Sequence, residues 1–263
     1  MAKPNLRGRW ALITGASSGL GADFARNLAA RGMHLVLTAR REEQLNALAD
    51  DLRRTRGVQV DVIPLDLARE HAPDTLHEKV TAAGRTIDML INNAGLGIYG
   101  DFLDIAWERE RAMLQLDIVT LAHMTKLFAR DMAARRRGYI LQVASIGAFQ
   151  PSPTYATYSA AKSFVLYFGE ALHHELKDKG VVVTVASPGV TKTEFFDVAG
   201  QEPTLYQRAF MMDSPTVVNI AIAAMLKGKS SVVPGYRNSA LAFSTRFVPR
   251  QLAARVADQL MKY

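Results

Sequence analysis

The chain has 263 residues, 49% apolar and 22% charged, and burial of that much apolar surface offsets chain entropy, which excludes a disordered chain. There is no cysteine, so disulfides, thiolate metal sites and thiol nucleophiles are excluded, while the net charge of +7 suits nucleic acid, an anionic membrane or a phosphate-rich small ligand alike. The opening residues MAKPNLRGRWALITG lack a signal-peptide apolar core and cleavage site, and no Asn-x-Ser/Thr acceptor occurs, so a soluble, cytoplasmic protein is expected. From the N-terminus, Trp10–Thr14 reads as a buried strand, followed by a glycine-rich turn and a helix to about Arg31. His34–Ala39 is the next strand, then a charged helix runs from about Glu42 to Arg54. Val58–Leu65 and Ile87–Ile91 are further strands, with a polar helix near Ala72–Ala83 between them. A long helix, about Trp107–Arg135, leads to the strand Tyr139–Ala144, and a second, about Thr154–Lys177, to the β-branched strand Val181–Ala186. Near-continuous apolar strands separated by helices predict an α/β fold: a doubly wound parallel sheet flanked by helices on both faces. After Ala186 come an irregular stretch with Pro188, Gly189, Gly200 and Pro203, a helix near Pro215–Leu226, a short strand Ser231–Pro234 and a helical tail. No linker or repeat divides residues 1–263, which read as one domain with a segment at about 190–215 and a C-terminal extension at about 235–263.

The first strand feeds Thr14-Gly15-Ala16-Ser17-Ser18-Gly19-Leu20-Gly21, which opens a helix. Glycines there let backbone approach a pyrophosphate, and the helix N-terminus favours its charge. Asn92-Asn93-Ala94-Gly95 follows the fourth strand, Tyr158-Ser159-Ala160-Ala161-Lys162 lies on the second long helix with Ser145 upstream, and Pro188-Gly189-Val190-Thr191-Lys192-Thr193 follows the sixth strand. In this order and on these elements, residues 10 to about 195 resemble the short-chain dehydrogenase/reductase family. The resemblance implies a Rossmann-type fold and an oxidoreductase interconverting a carbonyl (ketone or aldehyde) and an alcohol by hydride transfer. It assigns Gly15, Ser17, Ser18, Gly19, Leu20, Gly21, Asn93, Ala94, Gly95, Pro188, Gly189, Val190, Thr191 and Thr193 to the cofactor. Asp66 and Leu67, after the third strand, would lie near its adenine, although Asp66 equally suits a helix N-cap. The second strand ends Thr38-Ala39-Arg40-Arg41, with no carboxylate to accept from a ribose 2′-hydroxyl; Arg40 offers a fork suited to a 2′-phosphate, so NADP(H) is expected.

Tyr158 and Lys162, four apart on a helix, share a face. A nearby ammonium favours the phenolate and brings a phenol toward the range of acid–base work. In the family the tyrosine is the acid/base, the lysine modulates it and binds the nicotinamide ribose, and the serine, here Ser145, stabilises the carbonyl oxygen. Asp117 stands where the family usually carries an asparagine supporting a water chain to the lysine. Its charge would raise the lysine pKa, leaving a proton relay of altered pH dependence, a weakened enzyme or a shifted register as readings.

Leu96, Gly97, Gly147, Phe149 and Tyr155 are expected on the substrate wall, with Phe195 and Phe196 in the lid segment that also holds Tyr206, Phe210, Met211 and Met212. An apolar lid points to a hydrophobic substrate. Arg135-Arg136-Arg137 reads as a solvated helix cap on the side away from the cofactor. The tail mixes Arg237, Arg246, Arg250, Arg255 and Lys262 with Leu241, Phe243, Phe247, Val248 and Leu252, which suits intramolecular packing or oligomer contact ahead of an anionic membrane. The histidines show no metal spacing, so no metal is expected. Neither is nucleic acid, for lack of a recognition module. The resemblance implies a homodimer or homotetramer. The alternatives are a 3-oxoacyl-carrier-protein reductase and a non-catalytic NADP(H)-binding regulator or scaffold.

Overall fold

The computed structural model describes residues 5–262, without the side chains at 197–198, 205–206 and 260–262. Its first half alternates β1 (Trp10–Thr14), α1 (Gly19–Ala30), β2 (His34–Ala39), α2 (Glu42–Arg56), β3 (Val60–Pro64), α3 (Ala72–Ala82) and β4 (Ile87–Asn92). There follow α4 (Trp107–Leu114), a π-helical segment Gln115–Thr120, α5 (Leu121–Ala134), β5 (Gly138–Val143), a 3-10 turn Ile146–Phe149, α6 (Ala156–Lys177) and β6 (Val181–Ala186). The last part holds β7 (Thr191–Lys192), α7 (Phe195–Ala199), α8 (Leu205–Ala209), β8 (Met212–Asp213), α9 (Ser214–Leu226), β9 (Ser231–Val232), α10 (Tyr236–Ser244) and α11 (Arg250–Lys262).

Seven strands form one sheet in the order β3-β2-β1-β4-β5-β6-β9, every pair parallel, and β7 pairs separately with β8. Successive strand residues point to opposite faces, so Ile13, Leu35 and Leu37 pack with Phe24, Leu28, Leu45 and Ile222 of α1, α2 and α9. Leu12, Val36 and Leu90 face the other way, against Leu76 of α3 and Met124 and Phe128 of α5. Each such side chain contributes about 1.5–3 kcal/mol of apolar burial. With all strands parallel, their C-terminal ends lie along one edge, and the strand order reverses between β1 and β4, where α/β sheets open a ligand crevice.

The expected long helix 107–135 is continuous but widens to π-helical turns at Gln115–Thr120. Two residues later than expected, α6 begins at Ala156, because Thr154 sits at φ +64, outside helical space. The helix expected to stop at Arg54 runs to Arg56 and is ended by left-handed Gly57. β3 and β9 are shorter than expected, β9 stopping before Pro234. The arginine run is not a free cap: Arg135 Nη2 donates to the Ile87 carbonyl at 2.9 Å, Arg136 Nη2 to the Asp178 carbonyl at 2.9 Å, and Arg137 Nε to Asp88 at 2.9 Å.

Candidate active site

The crevice begins at the turn after β1. Thr14 Oγ1 accepts the backbone N–H groups of Asn93 (3.0 Å) and Ala94 (2.9 Å), clamping the end of β4 to the end of β1. The Asn93 amide donates to the Thr14 and Gly15 carbonyls at 3.0 and 3.3 Å, so its side chain builds the loop. Gly15 (φ +65) and Gly19 (φ +52) adopt left-handed conformations, and a Cβ on Gly21 would lie 2.0 Å from the Gly15 carbonyl oxygen. Only glycines allow this turn. Gly21 thus packs closely against the Gly15 carbonyl behind the loop. No side chain caps the start of α1, and Gly15, Ser17, Ser18, Gly19 and Leu20 around it line the cleft, so uncapped helix N–H groups are available there to a dinucleotide's pyrophosphate.

At the end of β2, Arg40 lines the cleft but is exposed. Its neighbour Arg41, passed over in the sequence, reaches the glycine loop: Nη2 donates to Ser18 Oγ at 2.6 Å and Ser17 Oγ at 3.3 Å, and pairs with Glu194 at 2.9 Å. Hydrogen bonds from Arg41 and Ser18 hold the Glu194 carboxyl below the usual carboxylate range. Asp66 caps a turn, accepting from the Ala68 N–H at 3.1 Å, and the next helix starts only at Ala72. Leu67 is buried and its carbonyl accepts from Thr120 at 2.7 Å.

Ser145 leaves the end of β5 and caps the 3-10 turn, accepting from the Gly147 N–H at 3.1 Å. From α6, Tyr158 faces it, and Lys162 lies one turn deeper. The Lys162 ammonium is buried 2.9 Å from Asp117 Oδ2, 3.3 Å from the Val143 carbonyl and 5.7 Å from the Tyr158 ring centroid. Asp117 has no exposed surface; its Oδ1 accepts the Leu96 N–H at 2.9 Å. A Cβ at Gly95 would come within 3.0 Å of Lys162 Nζ, so this close approach needs glycine.

Burial pushes the Asp117 carboxyl up, more than Lys162 and the Leu96 N–H draw it down. Burial alone would push Lys162 down, but Asp117, Tyr158 and the ion-pair hydrogen bond outweigh it and hold the lysine above its ordinary value. Tyr158 differs from expectation. Burial raises the phenol, Asp117 adds to the rise, and Lys162 and the Ser145 hydrogen bond only moderate it.

One cavity of about 490 Å³ joins these parts, from Gly15, Ser17, Ser18, Gly19 and Leu20 through Ala94 and Gly95 to Pro188, Gly189, Val190, Thr191 and Thr193. Leu96, Gly97, Gly147, Phe149, Tyr155, Phe195 and Phe196 share its wall. The Phe195 ring sits 5.5 Å from Tyr158, and a Cβ at Gly97 would strike it at 2.4 Å. Tyr155 Oη donates to Gln201 at 2.6 Å, and burial pushes its phenol up beyond ordinary titration. Phe210 reaches the wall while Met211 and Met212 do not, and the Tyr206 side chain lies outside the described residues. Asn238, Leu241, Ala242 and Thr245 of α10 and its following turn, with Val256 and Ala257 of α11, complete the wall. The sequence hinted at these only through the amphipathic tail. Among the described residues, no three metal-ligating side chains gather.

The family model for short chain dehydrogenases matches residues 9–203. The chain is 34% identical over 216 residues to mouse (Mus musculus) 17-beta-hydroxysteroid dehydrogenase type 3, covering 81% of this chain and 70% of that protein. In the rat and human proteins of the same name, the match covers 59% and 60% of their length. Among solved structures, a 7beta-hydroxysteroid dehydrogenase superposes with TM-score 0.87 at 29% identity, covering 98% of this chain and 99% of that one. A short-chain dehydrogenase from Sphingobium yanoikuyae in complex with NADPH superposes with TM-score 0.82 at 31% identity, covering 91% and 94%.

Proposed function

The chain belongs to the short-chain dehydrogenase family and is an oxidoreductase, and from that premise we propose that it interconverts a bulky apolar ketone and its secondary alcohol with NADP(H). The observation that carries this reading is the convergence of Ser145, Tyr158 and Lys162 in the same cleft as the glycine cradle and the Arg40–Arg41 pair. When bound, the nicotinamide supplies or accepts the hydride. Tyr158 donates its proton to the carbonyl oxygen in reduction and takes the hydroxyl proton in oxidation. Ser145 donates a hydrogen bond to the oxygen as negative charge develops there. Lys162 presents its ammonium to the phenol and opposes the rise that burial imposes. Arg40 and Arg41 would hold the 2′-phosphate, and Gly15 to Gly19 with the start of α1 the pyrophosphate. Leu96, Phe149, Phe195, Phe196 and Leu241 give the substrate side apolar walls, which suits a rigid substrate of steroid size, as the relatives' names suggest.

The test is fluorescence titration with NADPH and NADH, followed by a panel of steroid ketones and 3-oxoacyl thioesters read by NADPH consumption. Tighter NADPH binding that collapses in Arg41→Asp or Arg40→Asp, with steroid ketones turned over, is the expected result. Preference for NADH overturns the cofactor assignment. Turnover of thioesters alone moves the substrate to an acyl chain, and undiminished turnover by Tyr158→Phe refutes the mechanism, since losing the proton donor should cost about 10²–10⁴-fold.

A further inference from the structure

The two faces of α10 differ in what they meet. Asn238 and Ala242 turn inward and are buried, and Leu241, Ala242 and Thr245 line the cleft. Tyr236, Ala240 and Phe243 recur every three or four residues and form a stripe on the opposite, outward side of α10, and Phe247 follows in the turn after the helix. Nothing among the described residues covers it: Tyr236 is 79%, Phe243 57% and Phe247 75% exposed. The Phe243 and Phe247 rings meet edge to face at 5.3 Å, a preformed aromatic pair held toward solvent. Arginines border this stripe, the Arg237 guanidinium 5.7 Å from the Tyr236 ring centroid and that of Arg246 5.6 Å from Phe243. From α11, exposed Leu252 adds apolar surface, with exposed Arg250 and Arg255 on the same helix. From 235 to 263 these four arginines and Lys262 stand against a single acidic residue, Asp258.

We infer that this surface docks the protein on an anionic lipid membrane. Aromatic rings suit the headgroup level, where one side is apolar and the other wet, and arginines stacked on them meet lipid phosphates at the same depth. The excess of positive charge selects an anionic surface, and no helix among the described residues is long and apolar enough to cross a membrane, so the protein would lie on the bilayer. Because the inner sides of the same two helices line the cleft, docking places the cleft beside the lipid, where apolar molecules dissolve. The docking surface stands on its own geometry and does not depend on the proposed activity.

The experiment is co-sedimentation of the full chain with phosphatidylcholine vesicles and with phosphatidylcholine–phosphatidylserine vesicles, at low and high salt. Binding is expected only with phosphatidylserine, weakened by salt, lost in the double variant Phe243→Ser/Phe247→Ser and reduced about fivefold by each of Arg246→Gln and Arg250→Gln. Thermal melting and nucleotide titration establish that the variants fold, and turnover of a water-soluble ketone should be unchanged. Failure to sediment with phosphatidylserine overturns the inference, as does equal sedimentation of the folded double variant. Lipid-free self-association abolished by the same double change also overturns it, assigning the stripe to a second copy of the chain.

Discussion

Replacing Asp117 by Asn tests the centre of the site most directly. The carboxylate offers one oxygen to each of two donors: Oδ1 to the Leu96 N–H and Oδ2 to the Lys162 ammonium, both at 2.9 Å. Asparagine has a single oxygen, so its NH₂ group faces a donor in either orientation, and one buried donor loses its partner. At 2.9 Å and an effective dielectric of about 20, the lost attraction is about 6 kcal/mol. Local relaxation around the still-charged Lys162 recovers part of this, so a net loss of about 3–5 kcal/mol of unfolding free energy is expected, as for a broken buried pair. Asp117 raises both Lys162 and Tyr158, and its removal lowers both. The acid limb of kcat/KM for alcohol oxidation, which needs the phenolate, therefore moves to lower pH. Linkage gives the matching sign for stability. The raised Lys162 contributes below 10.5 and loses that contribution as pH rises through its folded value, so the variant should lose stability less steeply in alkali. Denaturant unfolding at neutral and alkaline pH and a pH–rate profile check both points. A loss below about 1 kcal/mol, or an acid limb that stays or moves up, refutes the reasoning.

Gly21→Ala places a methyl 2.0 Å from the Gly15 carbonyl oxygen, so it should distort the turn, cost about 1–3 kcal/mol and abolish nucleotide binding by fluorescence. Gly57→Ala is the control: with open space around a φ of +64, it should cost about 1 kcal/mol and leave binding intact. Phe195→Ala removes the ring beside Tyr158, so KM for an apolar ketone should rise roughly tenfold. In that variant the oxidation acid limb should shift to lower pH, because burial is the largest cause raising the phenol.

The sheet was legible because its strands are unbroken apolar runs such as Val181–Ala186, which only two covered faces can satisfy. The glycine turn was legible for a steric reason, since few other residues can stand where Gly15 and Gly21 do. Other features depend on contacts between distant segments. Residues 115–120 keep a helical pattern, and their π-helical turns accompany the packing of Asp117 against Lys162, 45 positions later. Nothing local distinguishes Arg40 from Arg41: the approach of Arg41 to Ser18 and Glu194 depends on where β2 ends against the glycine loop. The direction of the Tyr158 shift likewise depends on burial, to which a segment 37 residues downstream contributes. The tail's composition showed amphipathicity, but its role in the cleft required the positions of α10 and α11.

The Thr14 clamp has a consequence for how the chain assembles. Its partners lie 79 and 80 positions away, so the glycine turn gains its final shape only when β4 reaches β1, across the three crossovers through α1, α2 and α3. Such non-local parallel pairing is slow compared with helix formation. The first half of the chain made alone up to α3 would lack the clamp, and nucleotide capture would begin only once residue 94 had docked. Bound nucleotide then selects the chain in which β4 has joined β1, and the stability it adds to the completed sheet grows with the logarithm of its concentration over its dissociation constant.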